Sequence, residues 1–119
     1  MSPRFAFQRL EVYGVAKAIA QLTIDNRRLW AELPGAVGER LSHAMVALMA
    51  EIAAGAAQTA RNEQRRCYQA ARASANEAMS CIELAQLHGV VPAALGEALG
   101  TQLARIDQML AGMVRRRAA

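Results

Sequence analysis

The chain has 119 residues, the size of one domain. It is 54% apolar but only 4% aromatic, with three prolines and eight glycines; this weighs against a strand-and-turn protein and favours long helices whose core is Ala, Leu, Val, Ile and Met. The formal net charge is +4, and thirteen of the fourteen basic residues are arginine, a side chain suited to planar acceptors such as carboxylate and phosphate; a genome that favours arginine codons explains the same bias equally well.

The spacing predicts four helices, roughly 8–26, 35–54, 60–88 and 93–115. In the first, Val12, Val15, Ala16, Ile19, Leu22 and Thr23 recur at three and four. Glu11, Gly14, Ala18, Gln21, Asp25 and Arg28 form its wet face. The second starts near Pro34, a good first-turn residue. Its main stripe is Val37, Leu41, Ala44, Met45, Leu48 and Ile52, and Gly55 reads as its C-terminal cap. A second stripe, Val46, Met49 and Ala53, widens the apolar arc beyond one core face. That predicts a second buried contact and a homo-oligomer. The third begins after Thr59, a plausible N-cap; Cys67, Ala71, Ser74, Ala75, Ala78, Ile82 and Ala85 face inward, and Gly89 closes it. The fourth begins near Pro92, with a seam of Leu95, Leu99, Leu103, Ile106, Leu110 and Met113.

Short loops between four such helices predict an all-α, antiparallel up-down-up-down four-helix bundle, a single domain over 1–119. The charges at Arg4, Arg9 and Glu11 break any signal-peptide core. The longest apolar run, 44–50, is far short of the ~20 residues of a membrane helix. The expectation is a soluble cytoplasmic protein without a membrane partner. Cys67 and Cys81 lie fourteen residues apart on one predicted helix, ~21 Å along its axis, and cannot pair within the chain.

Catalytic chemistry is not expected. His43 and His88 lack an acid three residues before them, where Arg40 and Ala85 stand, so no di-iron set forms. Glu39 and His43 share a helix face, but two ligands do not make a metal site. Met45, Met49, Met79, Met109 and Met113 read as packing. Neither a metal nor a cofactor is expected. Ser74 and Glu77, mid-helix, are either a polar contact that fixes bundle register or solvent-facing side chains.

Charge is the strongest functional signal. An up-down-up-down order puts Arg4, Arg9, Arg61, Arg65, Arg66, Arg115, Arg116 and Arg117 at one end, against Glu11, Glu51 and Glu63. The other end carries Asp25, Glu32, Glu39, Glu83 and Glu97 against Arg27, Arg28 and Arg40. Such polarity suits a phosphate contact blind to base sequence. The competing reading is a solvated bundle end with a frayed tail. Tyr68, Phe5 and Phe7 are the only aromatics near these arginines, so base stacking should be limited.

The segment from Phe7 to Thr23, with Leu10, Glu11, Val12, Tyr13 and Ala16, resembles the opening of the four-helix-bundle proteins encoded in intervening sequences of bacterial 23S ribosomal RNA genes. Glu51, Ile52, Ala53, Ala54 and Gly55 stand where that family has an Asn-Ile-Ala-Glu-Gly element. Ala71, Ser74 and Glu77, then Ala85 and Gly89, resemble its third helix. The match spans nearly the whole chain by order and spacing. Ser42 and His43 occupy the place of a frequent Arg-Arg pair, a departure that bears on nucleic-acid binding more than on fold. The wider family includes the accessory protein of diversity-generating retroelements. The resemblance implies a homopentameric ring, and a nucleic-acid or protein partner.

Overall fold

In the computed structural model, which describes residues 5–118, the chain is all-helical among the described residues. A 3₁₀ turn, Ala6–Arg9, leads into α1 (Glu11–Asp25), the short α2 (Arg27–Ala31), α3 (Val37–Ala57), α4 (Arg61–Leu87) and α5 (Ala93–Arg116). The four long helices close a circuit: α3 packs on α4, α4 on α5, and α1 on both α5 and α3, while α2 and the 3₁₀ turn lie on α3.

The core follows the predicted stripes. Ile19 of α1, Leu41, Leu48 and Ile52 of α3, and Leu99, Ile106 and Leu110 of α5 are sealed from water. α4 meets them with small residues, Ala71, Ala75, Ala78 and Ala85. Large side chains from three helices thus meet a mostly alanine face of α4, broken by Tyr68 and Ile82, as dense packing requires. Cys67 and Ser74, expected inside, are half-buried, as are Leu22, Val37 and Leu95. Both cysteines are free thiols.

Polar contacts fix the helices lengthwise. Arg40 of α3 pairs with Glu77 of α4 at 2.7 Å. Ser74 Oγ donates to Glu51 Oε1 at 2.6 Å, so both mid-helix polar residues of α4 serve the α3–α4 seam. On the other flank Arg72 pairs with Asp107 at 2.9 Å. Asn76 donates to the same carboxylate oxygen. The Arg72 guanidinium, as hydrogen-bond donor, is the chief cause holding the Asp107 carboxyl below its ordinary range. Arg105 of α5 reaches Glu11 of α1 at 2.6 Å.

Four local expectations are corrected. The first helix does not begin at residue 8; extended backbone at Leu10 separates a 3₁₀ turn from α1. Gly55 does not cap α3, which runs on to Ala57; Gly55 is buried, and a Cβ there would lie 2.6 Å from the Tyr68 ring. Thr59 is not the N-cap of α4, because Ala60 holds that position without a side-chain bond. Pro34 precedes the helix it was expected to start, in a turn completed by Gly35 at φ +65°.

Residues 27–33 form a corner outside the predicted stripes. The indole of Trp30 is buried, and its Nε1 donates to the Thr23 carbonyl at 2.9 Å. Gly38 lets α3 pass close above it; a Cβ at Gly38 would lie 2.6 Å from the Trp30 carbonyl oxygen. Trp30 therefore joins three helices, its indole bonded to α1 and its backbone closely approached by α3 at Gly38.

Candidate nucleic-acid interface

Gly55 near the end of α3, Gln64 and Tyr68 at the start of α4, and Arg117 after α5 come together, and Leu10 after the 3₁₀ turn lines a groove with Arg115 and Arg116. Arg117, just past α5, is the pin. Its guanidinium lies 4.9 Å over the Tyr68 ring of α4. Its Nε donates to Gln64 Oε1 at 3.0 Å and its Nη1 to the Met113 carbonyl at 2.9 Å. Tyr68 in turn sits against Gly55 of α3. Burial raises the Tyr68 phenol, and the nearby Arg117 opposes that rise. The basic tail is helical through Arg116, and Arg117 follows it bound to Tyr68, Gln64 and the Met113 carbonyl.

This geometry sorts the predicted site residues. Arg117 is half-buried and spent on the pin. Arg66 is exposed but bound to Glu63, three residues earlier on α4. Arg9, Arg61, Arg65, Arg115 and Arg116 are exposed. Among the described residues none of these five has a carboxylate within 4.0 Å. Glu11, the nearest acid in sequence to Arg9, is taken by Arg105. Arg4 lies outside the described residues.

Local sequence explains the arrangement. Arg115 and Arg116 end α5, where a cation complements the helix dipole. Gly112, one turn earlier, leaves room for their side chains; a Cβ there would stand 3.2 Å from Arg116 Nη1. The two arginines border a groove of about 500 Å³ between α1 and α5, floored by Leu10, Val12 and Met109. Arg61 and Arg65 sit in the first turns of α4, where the dipole disfavours cations. Glu63 in that turn offsets part of the cost. Two unpaired arginines remain at a helix start, an arrangement that intrachain contacts do not reward.

The opposite end differs in sign. Asp25 and Glu97 face a second α1–α5 groove of about 590 Å³. The predicted second stripe of α3 is partly open: Val46 is 67% exposed, whereas Met49 and Ala53 are half-buried. Val46 edges a hollow of about 560 Å³ beside Trp30, Ser42 and His43. Among the described residues no cluster of three metal-binding side chains occurs, and no helix is long and apolar enough to cross a membrane.

Sequence reasoning placed Tyr68 among the rim aromatics. The structure buries it, and leaves Phe5 as the open ring of this end. The small residue at Gly55 was the available signal for Tyr68, because a missing Cβ marks close approach as well as a helix terminus. No family model, curated protein or solved structure matches the chain.

Proposed function

We propose that the protein is a non-enzymatic, self-assembling helical scaffold that binds nucleic acid through backbone phosphates at its arginine-rich end. The observation that carries this reading is the set of exposed arginines without carboxylate partners among the described residues: Arg9, Arg61, Arg65, Arg115 and Arg116. A cluster of unpaired cations on a rigid end raises local phosphate concentration and releases counterions on contact.

The scaffold in this reading is an antiparallel up-down-up-down bundle. Its support is the order of contacts: Gln64 meets Arg117, Arg72 meets Asp107, and Gln86 lies against Gly96, while Arg40 meets Glu77 and Gly55 meets Tyr68. Side-by-side copies, joined along Val46, Met49 and Ala53, would multiply the basic end into a positive rim. A ring of five follows from the likeness to the proteins of 23S ribosomal RNA intervening sequences, of which this chain would be a divergent member.

A second reading, a protein–protein module with no nucleic-acid role, draws on the exposed Val46, Leu84 and Leu87. Salt separates the two. Anisotropy of labelled duplex DNA, structured RNA and single strands should show micromolar binding that weakens steeply as salt rises. Phosphate binding is strongest at low salt, so absence of binding there would leave the interaction module, whose apolar association does not weaken with salt.

A further inference from the structure

Around the 3₁₀ turn three aromatic rings form a ladder: Phe5 at the head of the turn, Phe7 within it and Tyr13 in α1. Phe5 stacks on Phe7, with centroids 5.8 Å apart and planes inclined by 21°. Phe7 meets Tyr13 edge-on at 4.7 Å. Tyr13 packs against the core, so the ladder is anchored in the body of the protein. The Phe5 N–H donates to Gln8 Oε1 at 2.8 Å, which fixes the backbone at the head of the turn. Despite this support Phe5 is 71% exposed. One face of its ring is backed by Phe7 and the rest is open to water.

A phenyl held in place but left mostly in water contributes little to the fold beyond its stack on Phe7. Its neighbours suggest what it could gain elsewhere. Arg9 is exposed on the same turn, roughly 8 Å along its axis at the 3₁₀ rise. Leu10, next after the turn, lines a groove with Arg115 and Arg116, and Arg61 and Arg65 flank Gln64, which Arg117 reaches from the end of α5. Cations beside an exposed aromatic ring are the two parts of a single-strand site: a charged track for the backbone and a platform for a base. A duplex keeps its bases stacked inside and offers this ring no partner. In a single strand every base has a free face, so stacking needs no base sequence. A ring with two side-chain torsions, already stacked on Phe7, loses little freedom on binding.

We propose that Phe5 is a stacking platform for an unpaired base, so that the basic end takes single-stranded nucleic acid in preference to duplex. The inference rests on the phosphate-binding reading above and specifies its substrate class.

The test uses the full chain, with labelled oligothymidylate and a duplex of equal length at one fixed salt concentration. Phe5→Ala should weaken oligothymidylate binding roughly ten-fold or more, as expected for loss of one base–aromatic stack. Duplex binding should be unchanged. Phe5→Trp should retain single-strand affinity, and its added fluorescence should be quenched by oligothymidylate; the buried Trp30 of the parent chain supplies the baseline. Phe5 lies outside the core, so both variants keep the fold. Equal weakening on both nucleic acids, or unchanged single-strand affinity in Phe5→Ala, would overturn the proposal and turn Phe5 toward a protein contact. The phosphate reading survives either result if duplex binding stays steeply salt-dependent. A parent chain that binds neither probe at low salt would sink both.

Discussion

Each end of the molecule has a buried aromatic residue that a glycine approaches closely, through the backbone of Trp30 at one end and through the ring of Tyr68 at the other, and the two closures do different things. At the acidic end Trp30 fills a dry corner, its indole N–H satisfied by Thr23 and its backbone crowded by Gly38. At the basic end Tyr68 rests on Gly55 and serves as a floor for Arg117. The first closure ends in the core. The second carries a cation on its outer face and stands among arginines of which five have no carboxylate partner among the described residues. One kind of packing thus serves stability alone at one end and supports a charged surface at the other.

The comparison can be broken by removing each closure in turn. Trp30→Ala should be the most damaging change, costing about 3–5 kcal/mol as a large cavity opens; chemical denaturation checks it, and a loss under about 1 kcal/mol would mean the corner is dispensable. The glycines should follow in order. At Gly38 an added Cβ meets a backbone oxygen, which cannot move aside. At Gly55 it meets the edge of a side-chain ring, which can shift. Overpacking costs about 1–3 kcal/mol, offset by about 1 kcal/mol of helix propensity for alanine over glycine. Gly38→Ala should therefore destabilise by about 2 kcal/mol and Gly55→Ala by about 1 kcal/mol. The reverse order would show that Tyr68 is the tighter joint.

The smallest effect concerns the contacts between the two ends. The Asp107 carboxyl titrates below its unfolded value, so its contribution is present above about pH 4 and is lost as pH falls through the folded value. The pair is partly exposed, which screens it to about 0.5 kcal/mol. Asp107→Asn should be less stable than the parent at pH 7, and the gap should close in acid. A gap that persists at low pH would assign the loss to packing.

The helical stripes were legible because burial here follows a 3.6-residue period. Leu99, Leu103, Ile106 and Leu110 are buried as their spacing predicts. The Trp30 corner was not legible, since α2 is too short to show a period and owes its place to contacts with Thr23 and Gly38. Gly55 misled for a related reason: a glycine near a helix end satisfies the capping rule whether or not a ring fills the space above it. At the basic end helix order alone gathered the arginines. Their division into tied and free could not be read, because it depends on where Glu63, Gln64 and Tyr68 point.

The most direct measurement is the salt slope of nucleic-acid affinity for the parent chain and for Arg61→Glu with Arg65→Glu. Both positions are exposed and outside the pin, so the double variant should fold as the parent does. Phosphate binding predicts a large loss of affinity for every sequence and a slope shallower by roughly two phosphate contacts, or about 1.4–1.8 in log–log terms. Unchanged affinity and slope in the double variant would contradict the phosphate-binding end.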